Sequence, residues 1–202
     1  FIKTNSAKNI LVIGADSMSK ITDYSDRSNA LLWGDGAGAV VLSASNEKGI
    51  LSTHLHSNGK YAKELWVEAP SSKKKPRLNE GILNKGKHFL KMNGREIFKS
   101  AVRVMESSCR KLLDDHKISI DEIDHIIPHQ ANMRIVESLS QRLKVPLDKF
   151  YCNLDRFGNT SAASIPLALD EAIRSKNVKR GQLGLLVAFG AGLTWSSTLI
   201  RF

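Results

Sequence analysis

Two uncharged side chains, each able to offer one N–H to a developing oxyanion, stand at breaks in the chain. His129 lies in Pro128-His129-Gln130-Ala131-Asn132, and Asn159 lies in Gly158-Asn159-Thr160-Ser161-Ala162-Ala163-Ser164. A neutral imidazole and a carboxamide aimed at one thioester oxygen stabilise an enolate as charge collects there. Losing one such donor costs about 3 kcal/mol of transition-state stabilisation. Both residue types also have ordinary uses, as a hydrogen-bonded structural histidine and as a turn asparagine after glycine. Chemistry therefore depends on whether the two converge in space.

The flanking residues suggest how they could. Ile126-Ile127 is an apolar run broken by Pro128, which reads as a buried strand ending in a loop that opens a helix over Asn132–Leu143. Phe150–Leu154 reads as a second strand. After it, Gly158-Asn159 signals a turn and the small residues begin a helix over 161–176, with Pro166 near its first turn. His129 and Asn159 are thus one strand–helix–strand unit apart. Parallel neighbouring strands would bring their carboxyl ends, where ligands bind in layered α/β folds, together.

The remaining elements follow from the same patterns. Asn9–Gly14 reads as a buried parallel strand, and Ala15–Ser28 as a polar loop. Gly34–Gly38 carries three glycines in five residues. No Lys-Ser/Thr follows and a strand comes next, so tight turning and close packing are expected, not phosphate binding. Ile50–His56 alternates as a half-exposed strand that places His54 and His56 on the surface. Without a third ligand type they do not read as a metal site. Residues 61–87 lack a period and read as a linker. Over 92–116 an apolar stripe of Ile97, Ala101, Val104, Met105, Cys109 and Leu112-Leu113 predicts a helix with Cys109 in the core. A helix face of Ile165, Leu167, Ala168, Leu169 and Ile173 packs inward, and strands follow over 183–188 and 194–200. The fold class is α/β, a sheet covered by helices.

Composition excludes some functions. Apolar content of 42% and charged content of 25% are ordinary for a globular protein, and no run approaches a membrane span. Two cysteines make no disulfide framework, which suits a reducing cytoplasm. A net charge of +10 predicts an acidic partner. Aromatic content is only 6% and no zinc-finger or RNP-type motif is present, and a small acidic protein or a phosphate-bearing cofactor explains the charge as well as nucleic acid does.

Taken together, His129-Gln130-Ala131-Asn132, Gly158-Asn159-Thr160-Ser161-Ala162, Asp26-Arg27, Trp33-Gly34-Asp35-Gly36-Ala37-Gly38-Ala39 and Phe189-Gly190-Ala191-Gly192-Leu193-Thr194-Trp195 resemble the thiolase-fold condensing enzymes of the β-ketoacyl-[acyl-carrier-protein] synthase III family. The resemblance covers essentially the whole chain. It implies a layered α/β/α/β/α fold, represented here by the carboxyl-terminal half plus the last strands of the amino-terminal half. Residues 1–45 would close the amino half, 46–87 connect, and 88–202 form the carboxyl half. Phe1-Ile2-Lys3 reads as the end of a helix already under way, so a longer protein is expected, with the nucleophilic cysteine before Phe1.

The implied activity is decarboxylative condensation of an acyl-CoA primer with malonyl-acyl-carrier-protein, initiating fatty-acid synthesis. A polyketide-type synthase and a truncated, non-catalytic half are the alternatives. The family likeness assigns catalysis to His129 and Asn159 and an oxyanion backbone N–H to Ala191. It assigns contacts with coenzyme A or pantetheine to Arg27, Gly94, Phe98, Asn132 and Phe189, and carrier-protein docking to Gln130, Ala131, Asn132, Met133 and Arg134. No permanently bound cofactor or metal is implied; the thioesters of coenzyme A and of phosphopantetheine are substrates. A homodimer in the cytoplasm, with no nucleic-acid or membrane partner, completes the expectation.

Overall fold

The computed structural model describes residues 1–47 and 49–202; Lys48, within the expected connecting segment, lies outside the described residues. Residues 1–8 form turns and do not continue a helix. Strand β1 (Asn9–Ser17) then pairs antiparallel with β2 (Asp35–Ser43), with Gly14 opposite Gly38 and Asp16 opposite Gly36. Among the described residues the expected parallel pairing and burial are not found: Leu11 and Ile13 are 59% and 62% exposed on this two-stranded sheet. Their apolar run predicted a strand correctly but not its partner, which only the tertiary structure selects.

The glycines of this ribbon are packing devices within and before a strand, not turns. A Cβ on Gly34 would come 2.0 Å from the Phe157 carbonyl oxygen, and one on Gly14 would come 2.2 Å from that of Ala162. Gly36 and Gly38 face Thr160 and Pro166 less tightly, at 3.1 and 3.0 Å. Backbone from a distant part of the chain lies directly on the bare face of β1–β2.

Strand β3 (Ile50–Ser57) forms the edge of the main sheet. Its alternation is as expected, but His54 and His56 point inward. His54 Nε2 lies 3.3 Å from Asp115 Oδ2, and His56 stacks on Trp195. The period-two pattern separated the two faces and could not say which was covered. The expected linker is also more ordered than predicted. It contains β4 (Leu65–Val67) and a short helix α1 (Glu80–Asn84) capped by Asn79, and β5 (Leu90–Met92), just beyond it, pairs antiparallel with β4.

Helix α2 (Gly94–His116) buries Ile97, Ala101, Val102, Met105, Cys109, Leu112 and Leu113, with Val104 at the margin. A capping box of Ser119 and Glu122 then leads to β6 (His125–Pro128). Next come α3 (Met133–Leu143), capped by the Asn132 side chain, and a single turn α4 (Leu154–Phe157). Helix α5 (Ser164–Arg174) precedes the hairpin of β7 (Leu183–Gly190) and β8 (Thr194–Arg201). The sheet order is β3-β8-β7-β6, parallel between β6 and β7 and antiparallel elsewhere. Helices α2 and α3 share one core with this sheet, while α5 packs in a second cluster with Ile127.

Two further expectations are corrected. Phe150–Leu154 is not a strand: only Phe150 bridges Ile126. Beyond it, Tyr151 O and Asn153 N bond to the carboxamide of Gln130, which takes the place of a neighbouring strand. In α5 the fully buried positions are Ser164, Ala168 and Ala172, and Ile173 is 49% exposed. Small residues let α5 lie close to the sheet, so its inward face is narrower and rotated from the one marked by bulky side chains.

The glycine seat yields a direct test. Gly34→Ala should destabilise the protein by about 1–3 kcal/mol, because a methyl group is forced against backbone that cannot swing away. Gly59→Ala, where a Cβ would meet nothing within 4 Å, should stay within about 0.5 kcal/mol. Urea unfolding of both variants measures the contrast, and equal stabilities would refute the close-approach account.

Candidate active site

The Asn159 backbone is clasped before its side chain does anything. Asn159 N donates to Leu32 O at 2.8 Å and Gly34 N donates to Asn159 O at 2.9 Å, a parallel bridge between two loops. Gly158, with φ of +64°, makes the turn that delivers the chain to this bridge, and Asp16 Oδ2 accepts Ala162 N at 3.1 Å. The side chain, 6% exposed, uses its Oδ1 to accept Ser161 N at 2.9 Å. Its remaining polar group is the Nδ2 donor, which has no protein acceptor among the described residues and is not sealed from solvent.

His129 is delivered by the sheet. Its backbone N–H donates to Val187 O at 2.8 Å, extending the β6–β7 ladder by one rung, and its carbonyl accepts Ala131 N. Its Nδ1 lies 2.6 Å from Ser164 Oγ, and Nε2 has no protein partner among the described residues. Burial pulls the imidazole down to about 4 from its ordinary 6.5, because the cation would lose its hydration here. The side chain is therefore neutral at physiological pH.

His129 and Asn159 both line one cavity of about 1200 Å³, together with Phe98, Phe189, Ala191 and Trp195. Gly94, Ala131, Asn132 and Arg134 also stand on its wall. At Gly94 a Cβ would approach nothing closer than Met92 Cε at 4.0 Å, so packing does not demand glycine there; the missing side chain widens the cavity. Ala191 does not require positive φ; that conformation falls on Gly192, at +134°. An alanine at 191 therefore keeps its backbone N–H in place.

Other predicted residues fall elsewhere. Arg27 is exposed and off the cavity wall, beside Ser28, which is on it. Gln130 was expected on a docking surface but is 1% exposed. Its Nε2 donates to Pro128 O and Tyr151 O, and its Oε1 accepts Asn153 N. It holds the His129 loop against the Asn153 turn and cannot meet a partner. Ala131 and Met133 pack against the core, whereas Arg134 is exposed and has no ion-pair partner among the described residues. Arg142, further along α3, is tied to Glu106 at 3.1 Å.

Neither cysteine stands on the cavity wall. Burial pushes the Cys109 thiol up to about 12 and, with Asp155 nearby, that of Cys152 up to about 11. No cluster of three metal-ligating side chains stands among the described residues, and none of their helices is long and apolar enough to cross a membrane. Ser164 and Asp16 went unrecognised as site residues. Ser164 was visible inside the 158–164 motif, but nothing in the pattern aimed its hydroxyl at His129.

Comparison with known proteins gives a consistent picture. A family model described as 3-oxoacyl-[acyl-carrier-protein (ACP)] synthase III matches residues 1–59, and the C-terminal model of the same description matches 113–202. Over all 202 residues the chain is 45% identical to the β-ketoacyl-[acyl-carrier-protein] synthase III of Xanthomonas campestris, covering 61% of that protein. It is 47% identical to that of Xylella fastidiosa, covering 60%. The crystal structure of the 3-oxoacyl-[acyl-carrier-protein] synthase III of Aquifex aeolicus superposes on the whole chain with a TM-score of 0.89 at 44% identity, covering 60% of that structure. The chain thus spans about three fifths of the length of the curated relatives it matches.

The neutral imidazole has a measurable consequence. A folded-state value near 4 means that the native protein binds fewer protons than the unfolded chain between about pH 4 and 6.5. The contribution of His129 to stability is therefore complete above pH 6.5 and is lost as pH falls toward 4. Proton NMR titration should place the midpoint of the His129 ring near 4, and a midpoint at 6 or above would show a solvated imidazole.

Proposed function

The chain belongs to the 3-oxoacyl-[acyl-carrier-protein] synthase III family, and from that premise we propose that it carries the decarboxylation half of a condensing enzyme that joins an acyl-CoA primer to malonyl-acyl-carrier-protein. The observation that carries the reading is that two uncharged N–H donors line one cavity, each held by a hydrogen bond at its other end. Donors fixed in advance need no reorganisation as charge develops, and a water-poor site strengthens them.

In this reading the malonyl thioester oxygen accepts from His129 Nε2–H and Asn159 Nδ2–H. The bond to the carboxylate breaks, carbon dioxide leaves, and the electron pair moves into the thioester to give an enolate whose oxygen carries the charge. The enolate carbon attacks the acyl thioester on the enzyme, forming the new carbon–carbon bond and releasing the enzyme's thiolate. A neutral imidazole suits this step: an imidazolium would protonate the nascent carbanion and waste it. The acyl-accepting thiol is neither Cys109 nor Cys152, whose raised values keep them protonated, and we assign it to a cysteine outside these residues. The backbone N–H of Ala191, on the same cavity wall, is assigned to the oxygen of that acyl group.

The cavity's length of apolar wall suits a pantetheine arm between Phe98, Gly94, Asn132 and Phe189, with the exposed guanidinium of Arg27 reaching phosphate beyond. An acyl carrier protein, an acyl-CoA and a second copy of the chain are the partners of this reading. Arg134, exposed, on the cavity wall and without an ion-pair partner among the described residues, is assigned to meet an acidic carrier protein. A net charge of +10 would steer such a partner toward it.

Two tests follow. Asn159→Ala should lower malonyl-acyl-carrier-protein decarboxylation by roughly a hundred- to a thousandfold while acyl transfer from acyl-CoA to the enzyme stays near its original rate; an unchanged decarboxylation rate excludes the assigned role. Arg134→Glu should raise KM for the carrier-protein substrate about tenfold at low salt, with kcat little changed and the penalty shrinking as ionic strength rises. A KM indifferent to both charge and salt would move the docking surface elsewhere.

A further inference from the structure

We propose that Ser164 is a positioning residue that makes His129 a donor: its hydroxyl proton goes to His129 Nδ1, so the ring carries its own hydrogen on Nε2, toward the cavity. This rests on the condensing-enzyme reading and adds to it the residue that decides between the two imidazole tautomers.

A neutral imidazole has one N–H and one lone pair, and which nitrogen holds which is set by the partner of the other. Among the described residues, Ser164 Oγ has one hydrogen-bonding neighbour, His129 Nδ1 at 2.6 Å, and the serine is only 2% exposed. A hydroxyl at the start of a helix commonly turns back to a carbonyl of the preceding turn. Here Thr160 O is occupied by Ala163 N, and Ser164 Oγ makes no bond to it. The hydroxyl proton has one acceptor, the lone pair of Nδ1. In the opposite tautomer Nδ1–H would donate to Oγ, and the buried hydroxyl proton would be left without a partner. That tautomer would also turn a lone pair toward the cavity, where it repels an enolate oxygen instead of binding it.

The same short segment orients the other donor. Ser161 N holds Asn159 Oδ1, which turns Nδ2 outward, just as Ser164 Oγ holds Nδ1 and turns Nε2 outward. Residues 159–164 therefore set the polarity of both groups, although His129 itself arrives on a different strand. Seating this segment on the glycine face of β1–β2 is what carries Ser164 to the ring.

The experiment labels the histidines of the active enzyme with ¹⁵N and reads the His129 tautomer from long-range proton–nitrogen correlations, assigned by loss of the signal in His129→Ala. The native enzyme should show a protonated Nε2 and a bare Nδ1. Ser164→Ala should mix the tautomers and lower malonyl-acyl-carrier-protein decarboxylation by roughly ten- to a hundredfold, with KM within about twofold. Ser164→Thr, which keeps a hydroxyl, should restore both. A native ring protonated on Nδ1 overturns the proposal, and this measurement stands even if Ser164→Ala does not fold. A rate loss without a tautomer change, or a tautomer change without a rate loss, also overturns it. The underlying reading fails separately: if His129→Ala and Asn159→Ala both leave decarboxylation intact, no condensing role remains, whatever the tautomer.

Discussion

The site depends on a backbone clasp that no side chain could replace. Leu32 O and Gly34 N hold the Asn159 backbone by two hydrogen bonds, and the glycines of the β1–β2 ribbon leave room for the neighbouring segment to lie against it. Gly14 and Gly34 leave room for the carbonyls of Ala162 and Phe157 where even a methyl group would collide. The first 43 residues contribute little to the main core, yet they decide where the 158–167 segment lies. Everything chemical about Asn159 and Ser164 follows from that placement.

The second fixed point is the β6–β7 ladder, which delivers His129 with a backbone bond one residue past the strand. Gln130 joins the two fixed points. Its carboxamide is saturated by Pro128, Tyr151 and Asn153, so the His129 loop and the approach to Asn159 cannot drift apart independently. A buried amide with every polar atom satisfied rigidifies its surroundings, and rigidity is what an oxyanion site needs, since donors that must be reoriented stabilise less. The lowered value of His129 comes from the same closure: a loop held tight excludes the water that would hydrate an imidazolium.

The two cysteines sharpen the division of labour. Both are thiols held protonated by burial, one in the α2 core stripe and one beside the Gln130 latch. Among the described residues the cavity wall holds no cysteine and no metal cluster; beside apolar and charged side chains it carries the uncharged His129 and Asn159. Such a site can steady a carbanion equivalent generated by loss of carbon dioxide. It is poorly suited to general-base chemistry, because its histidine is a weak base with one nitrogen already engaged.

Strong local signals were legible from residues alone. The stripe that forms α2, the apolar strand β6, the strands β7 and β8 and the two motifs holding His129 and Asn159 all rest on short-range periodicity or turn chemistry, which sequence carries directly. Whatever depended on a distant partner was not legible. The antiparallel pairing of β1, the inward turn of His54 and His56, the replacement of a strand at 151–154 by the Gln130 amide, and the narrow inner face of α5 were each decided by which surface arrived opposite. The chemistry divides the same way. Residue type alone established that position 129 offers an imidazole and position 159 a carboxamide. Which atom of each the protein engages was decided by Ser164 Oγ at His129 Nδ1 and Ser161 N at Asn159 Oδ1, contacts that exist only once the folded backbone has been laid against the glycines of β1–β2.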